Sequence, residues 1–295
     1  MVERWQRLLR AADRWFERRR STRVARRAIS GFAEHNGAEV AGSMAYFAVL
    51  SLFQVIVLGV IGFSLIIGEG EARRIVIGRL DRALPLEPGT VGAIVDSIIA
   101  SRGGITLVSL PILAWGALGF FGALSTGVGR AFAAPTRRPF WQDKLIGLLL
   151  LAGAGLLAMI AVAIGIGASI AAQLTTRLPG GGTGSQLALD LVGLLLPMLL
   201  VLVALLVVYV VVPNRRVRLR QAWPGALVAT LGVTVLRMGF TWYATEVARY
   251  ESFFGPISTV ISLLVFLHLS SAVVLLGAEI ARANVLDDER GSTTT

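Results

Sequence analysis

Residues 187–212 read LALDLVGLLLPMLLVLVALLVVYVVV, an apolar stretch in which Asp190 is the one charged side chain. A helix of about 20 apolar residues is long enough to cross roughly 30 Å of hydrocarbon. Five similar stretches complete a set of predicted spans at residues 39–67, 105–133, 141–174, 187–212, 222–247 and 257–283. Because backbone N–H and C=O groups in lipid must bond within their own segment, we predict an all-α polytopic membrane protein with six transmembrane helices.

The composition agrees with this class of protein. Hydrophobic residues make up 55% of the 295 residues and charged residues 16%, against about 25% charged residues in ordinary soluble domains. The chain has no cysteine, which excludes disulfides, thiol catalysis and cysteine metal sites. A net charge of +10 would favour nucleic-acid binding in a soluble protein, but the arginines here adjoin the apolar stretches. We therefore expect the lipid bilayer as a partner, and no nucleic acid, metal or cofactor.

The charges between the spans predict the orientation, because Lys and Arg are retained on the cytoplasmic side of a membrane. Residues 1–36 carry ten arginines, and two later loops repeat the excess. Their basic residues are Arg137, Arg138, Lys144, Arg215, Arg216, Arg218 and Arg220. The loops at residues 68–104, 175–186 and 248–256 have no such excess. Both termini are therefore predicted to be cytoplasmic.

The chain is predicted to divide into a cytoplasmic, arginine-rich amphipathic arm (1–36), a six-helix membrane domain (37–284) and a disordered cytoplasmic tail (285–295). The arm places aromatic and basic residues on different sides of a helix. We expect this helix to lie at the membrane surface, with arginines on anionic phospholipid headgroups. The residues expected there are Trp5, Trp15, Phe16, Arg7 and Arg14. The alternative is a topology signal whose helical pattern is incidental.

The first external loop also carries a helical pattern. Residues 75–84 and 91–99 each place apolar side chains on one stripe, and Pro85 and Pro88 separate the two. The loop is therefore predicted to contain two short amphipathic helices.

Four segments together resemble the YihY/BrkB family of bacterial inner-membrane proteins. They are Ala-Gly-Ser-Met-Ala-Tyr-Phe at 41–47, Arg-Pro-Phe-Trp-Gln-Asp-Lys at 138–144, Pro-Asn-Arg at 213–215 with Ala-Trp-Pro-Gly-Ala at 222–226, and Leu-Leu-Gly-Ala-Glu at 275–279. The resemblance implies six helices with both ends inside the bacterial inner (plasma) membrane. Family members have been linked to serum resistance and to envelope or lipid transport. Two positions depart from the pattern: Gln54 stands where proline is common, and His268 where an aromatic residue is expected.

An old label for this family is ribonuclease BN, and the residues present argue against that activity. A metallo-nuclease holds several His, Asp and Glu ligands around one exposed site. This chain has two histidines, His35 and His268, which lie in distant parts of the sequence. We identify no catalytic residues, and we predict that the protein is not an enzyme.

Ionisable and polar residues within predicted spans are the candidate substrate-binding residues, because each costs several kcal/mol unless it is paired or hydrated. Arg237, His268 and Gln54 are predicted at mid-depth, where they could form a polar centre for an anionic headgroup. The alternative is that Arg237 bonds helix carbonyls beside a small water pocket. Glu39 and Glu279 are predicted nearer the cytoplasm, where they could form ion pairs with the arginines of residues 213–221 or act as protonatable gates.

The sequence therefore predicts an integral membrane protein that aids the movement of a lipid or other amphiphilic envelope component without ATP hydrolysis. The alternative is a non-transporting membrane scaffold for an envelope complex. Homo-oligomerisation and an envelope partner both stay open at this point. A shared cavity for the mid-depth residues would favour transport, and separate interfaces would favour the scaffold.

Overall fold

The computed structural model describes residues 20–68, 102–132, 183–215, 217–243 and 256–292 without a break, together with parts of 70–96 and 141–167. For residues 53–67 it describes the backbone alone. The described helices are α1 (Arg20–Glu34), α2 (Gly37–Ile67), α3 (Arg102–Ala131), α4 (Thr183–Val211), α5 (Leu219–Trp242) and α6 (Pro256–Ser292). Within these residues the protein is all-helical, as predicted. The surface residues predicted in the arm, Trp5, Trp15, Phe16, Arg7 and Arg14, lie outside the described residues.

Two of the described helices are long and apolar enough to cross a bilayer. They are α5, whose most apolar 18 residues have a mean hydropathy of 1.3, and the Val260–Glu289 stretch of α6, whose most apolar 18 residues have a mean hydropathy of 2.4. Large apolar side chains on α5 face outward, and Val235 is 67% exposed. Helices α2, α3 and α4 coincide with three more of the predicted spans. Their described apolar parts include the shorter stretches Gly37–Leu52 and Leu195–Val211.

Helix α6 lies at the centre of the bundle and packs against α1, α2, α3 and α5. Its contact with α5 is made by small residues, which let two backbones approach closely. A Cβ atom on Gly225 would overlap the carbonyl oxygen of Gly277. Further along, Gly232 lies against Val273, and the rings of Phe240 and Phe266 have centroids 5.6 Å apart. The two helices are therefore antiparallel.

Helices α2 and α3 form a second antiparallel pair. Gly127 lies against Val40, and Gly119 lies against the ring of Phe47. This order brings the first turn of α2 next to the last turn of α3. Helix α4 packs on α5, and the buried hydroxyl of Tyr209 donates a hydrogen bond to the carbonyl oxygen of Val274 on α6.

A tight turn separates α1 from α2. Asn36 has a φ of +56°, a left-handed conformation that Asn tolerates better than most residues. Gly37 follows, and a Cβ atom at this position would overlap the ring of Phe32. This turn separates two helices, α1 and α2, that both pack against α6.

The structure differs from the predicted disordered tail over residues 285–292, and residues 293–295 lie outside the described residues. Helix α6 continues to Ser292, and the side chain of Val285 is 3% exposed. Asp287 forms ion pairs with Arg27 at 3.3 Å and with Arg23 at 3.7 Å, so α1 holds this end of α6. Further contacts in the same region join Arg215 to Glu289 and Gln221 to Asp288.

The described residues between α2 and α3 include helical positions at 73–74, 77–78, 92–93 and 95–96. Nε and Nη2 of Arg73 donate to the two carboxylate oxygens of Asp96 at 2.6 and 2.7 Å. This hydrogen bond lowers the pKa of the Asp96 carboxyl and raises the pKa of the Arg73 guanidinium. Val95, beside this pair, is fully buried.

Candidate functional site

A groove of about 560 Å³ runs between α2 and α3. It is lined by two helical stripes that face each other, and each stripe advances four residues at a time. On α2 the stripe is Glu39, Ser43 and Phe47, and on α3 it is Leu118, Gly122, Thr126 and Arg130. Val40, Gly119 and Ala123 complete the lining. Residues four apart lie on one face of a helix, so each stripe presents a continuous wall.

One end of the groove carries two opposite charges. Glu39 lies in the first turn of α2 and Arg130 in the last turn of α3, and both side chains are exposed. A helix favours an anion at its N-terminus and a cation at its C-terminus, by about 0.3–1 kcal/mol each. Because the helices are antiparallel, the two favoured charges meet at the same end. Glu39 and Arg130 do not pair with each other, and within the described part of the chain neither has an ion-pair partner.

The groove becomes less polar away from these charges. Ser43 and Thr126 come next, and the Thr126 hydroxyl donates to the carbonyl oxygen of Gly122 at 2.8 Å. Phe47 and Leu118 line the far part. A Cβ atom on Gly122 would meet no other atom within 4 Å, so the groove is open at its centre. The lining therefore changes from charged to apolar over its length, like the structure of an amphiphile.

A second polar cluster joins α1 to α6. Nδ1 of His35 lies 2.6 Å from Oε1 of Glu279, whose side chain is 3% exposed. Nη1 of Arg282 lies 3.4 Å from Nε2 of His35 and 3.7 Å from Oε2 of Glu279. A guanidinium group only donates, so Nε2 accepts from Arg282 and Nδ1–H donates to the carboxylate. Gly31 leaves room for this arrangement, because a Cβ atom there would lie 2.5 Å from Oε2 of Glu279.

These partners differ from those expected for Glu279. One expectation from the sequence was an ion pair with the arginines of residues 213–221, whereas in the structure Glu279 contacts His35 and Arg282. Glu39 lies apart from this cluster, in the groove. The two carboxylates therefore belong to different sites.

The predicted mid-depth residues are brought together only in part. Arg237 precedes Phe240 by three residues, and His268 follows Phe266 by two, so the antiparallel α5–α6 pair holds them at a similar level. His268 faces α2, because a Cβ atom on Gly42 would lie 3.7 Å from its Nδ1. Gln54 lies twelve residues beyond Gly42, or about 18 Å along α2. The structure therefore separates the backbone of Gln54 from the level of His268.

Sequence reasoning did not identify His35 or Arg130 as site residues. The contact of His35 joins residues 244 positions apart, and no local pattern marks it. Arg130 has a local signal, the four-residue spacing of Gly122, Thr126 and Arg130 within one span. Among the described residues, no three His, Asp or Glu side chains are grouped so that they could hold a metal ion.

Comparisons with known proteins give one family. A family model described as Virulence factor BrkB matches residues 28–293. The chain is 29% identical over 246 residues to a UPF0761 membrane protein of Rhodospirillum rubrum, which covers 83% of this chain and 54% of that protein. It is 29% identical over 248 residues to a UPF0761 membrane protein of Pseudoalteromonas translucida, with 81% and 78% covered.

A further relative has a different name. The chain is 25% identical over 258 residues to YfkH of Bacillus subtilis, which is named as ribonuclease-like, with 85% of this chain and 91% of that protein covered. The chain spans about half the length of the Rhodospirillum rubrum relative. No solved structure matches it.

Proposed function

Because this chain belongs to the virulence factor BrkB family of membrane proteins, we propose that it aids the movement of a lipid or other amphiphilic envelope component across the bacterial inner membrane without ATP hydrolysis. The observation that carries this proposal is the groove between α2 and α3, which is charged at one end and apolar at the other. A lipid likewise has a polar headgroup at one end and apolar chains at the other.

The physical need for such a groove is clear. A charged side chain at the centre of a bilayer costs about 2.5–3.5 kcal/mol on insertion scales, and a lipid headgroup faces the same kind of penalty. Hydroxyl and charged side chains that contact the headgroup as it enters the membrane lower this penalty. Ser43 and Thr126 extend the polar lining inward from Glu39 and Arg130.

The proposed topology is six spans with both termini in the cytoplasm. Helices α2 to α6 supply five of the spans, and residues 141–174 supply the third in chain order. The charged end of the groove then opens to the cytoplasmic leaflet, since it adjoins the arm that carries ten arginines. Arg237 and His268 do not line the groove, and in this proposal they are further contacts of the headgroup outside it.

The proposal is tested with the purified full chain in liposomes that contain a headgroup-labelled phospholipid. Protein is expected to increase the fraction of label that a membrane-impermeant quencher reaches, without ATP. Gly122→Phe is expected to slow this exchange, because its side chain fills the open centre of the groove. Gly193→Phe is the matched control, since Gly193 is exposed on α4 and also has no atom within 4 Å of a Cβ.

Exchange at the rate of protein-free liposomes would overturn the proposal and favour the scaffold alternative. Equal rates of lipid exchange for Gly122→Phe and wild type would show that the lipid does not move along the groove. The ribonuclease-like name belongs to the Bacillus subtilis relative, and this proposal does not use it.

A further inference from the structure

We infer that Glu39 and Arg130 together bind the headgroup of a phospholipid that carries both a phosphate and a primary amine, as phosphatidylethanolamine does. Arg130 binds the phosphate and Glu39 binds the ammonium group. This inference rests on the proposed function and names the substrate class of the same groove.

The placement of the two charges supports a ligand that bridges them. Val40 of α2 lies against Gly127 of α3, so Glu39 and Arg130 differ in level by about two residues, or roughly 3 Å along the helix axes. Both side chains line the groove and are exposed, yet they do not pair with each other. A headgroup with one negative and one positive charge can bond both at once and leave the site neutral.

The chemistry of each side chain favours this assignment. A guanidinium group presents a planar fork of N–H donors that fits phosphate oxygens. A carboxylate only accepts hydrogen bonds, and a primary ammonium group offers three N–H donors. The quaternary amine of choline has no N–H to donate, and an uncharged glycerol headgroup leaves the phosphate charge next to Glu39 without compensation. Glu39 therefore selects for the primary amine, and it selects partly by repelling anionic lipids.

The rest of the groove suits the remainder of such a lipid. Ser43 lies one turn below Glu39, at the depth of the glycerol ester groups, and its exposed side chain lines the groove. From Arg130 to Leu118 the α3 stripe covers twelve residues, or about 18 Å. The open space at Gly122 and the apolar side chains of Phe47 and Leu118 then receive the first part of an acyl chain.

The test measures binding without movement. The full chain in detergent is mixed with equal amounts of dioctanoyl phosphatidylethanolamine, phosphatidylcholine and phosphatidylglycerol, and native mass spectrometry counts the retained lipids. Wild type is expected to retain the ethanolamine lipid most. In Glu39→Gln the preference for the ethanolamine lipid over the choline lipid is expected to fall about tenfold, which is the effect typical of losing one charge-assisted hydrogen bond. Arg130→Gln is expected to weaken binding of all three lipids.

Matched controls are Glu34→Gln and Arg220→Gln, which remove exposed charges outside the groove lining. Both are expected to keep the preference of wild type. Equal retention of the three lipids by wild type, or an unchanged preference in Glu39→Gln, would overturn the headgroup assignment whatever the liposome assay shows. A wild-type protein that selects the ethanolamine lipid but does not accelerate exchange would support the assignment and overturn only the proposed transport.

Discussion

His35 and Glu279 lie 244 residues apart in the chain, and Nδ1 of the histidine is 2.6 Å from Oε1 of the carboxylate. This contact gives a hydrogen-bond partner to the carboxyl group of Glu279, whose side chain is 3% exposed. An ionised group that is buried without a partner is strongly destabilising. The contact therefore links the position of α1 to the stability of α6.

The first prediction concerns His35→Ala. The substitution removes the donor to a side chain that is 3% exposed, and the lost bond is expected to cost about 1–3 kcal/mol of stability. The midpoint of thermal unfolding of the detergent-solubilised protein should fall by several degrees. Glu34→Gln, an exposed neighbour, should leave the midpoint unchanged. Identical midpoints for His35→Ala and wild type would show that the contact contributes little.

The second prediction concerns the contact of α5 with α6. Gly225→Ala places a methyl group against the backbone carbonyl of Gly277, which has no free rotation by which to move away. Overpacking of this kind typically costs about 1–3 kcal/mol. Gly239→Ala is the control on the same helix, because a Cβ there meets nothing within 4 Å. Measured by unfolding midpoints in detergent, only the first variant should be destabilised, and equal midpoints would contradict the close packing.

The third prediction concerns the pH dependence of the Arg73–Asp96 pair. The hydrogen bond from Arg73 lowers the pKa of Asp96 in the folded protein. A carboxyl whose folded pKa lies below its unfolded value, about 3.9, stabilises the fold above that pH and loses this effect as the pH falls through the folded pKa. The pair is exposed, so its effect is small.

Wild type should therefore unfold at a slightly higher temperature than Arg73→Gln at pH 7, and the difference should shrink as the pH falls below about 4. Thermal scans of both proteins at several pH values give the comparison. A difference that stays constant down to pH 2 would show that Arg73 acts through something other than Asp96.

The fourth prediction concerns Arg237, the basic residue of α5 that lies within a predicted span. Arg237→Ala should slow lipid exchange in the liposome assay, because the headgroup loses a cationic contact inside the membrane. Arg220→Gln, at the start of the same helix, should exchange lipid as wild type does. Equal rates for Arg237→Ala and wild type would remove Arg237 from the mechanism.

The sequence predicted the helices well, because apolar length and charge placement are local properties. The predicted span at 222–247 overlaps α5 (Leu219–Trp242), and the family resemblance read from segments such as residues 41–47 is confirmed. The difference at residues 285–292 has a physical cause. In the sequence, a charged residue such as Asp287 after the last apolar stretch indicates a solvated tail. In the fold, Arg27 and Arg23 of α1 form ion pairs with Asp287.

The candidate site was less accessible from the sequence, because it depends on which helices are neighbours. Glu39 could be singled out as a charge at the edge of a span, but its position opposite Arg130 follows from the antiparallel packing of α2 on α3. His35 has no apolar or charged pattern around it that points to Glu279. The roles of Arg237, His268, Gln54, Glu39 and Glu279 in substrate binding stay predictions.

The left-handed residue Asn36 has a mechanical consequence. This residue interrupts the helix between α1 and α2, and the ring of Phe32 packs against Gly37 at the interruption. Displacement of α1 is consequently resisted by α6, through the contacts of Arg27 with Asp287 and of His35 with Glu279. Helices α1 and α6 are therefore expected to move together.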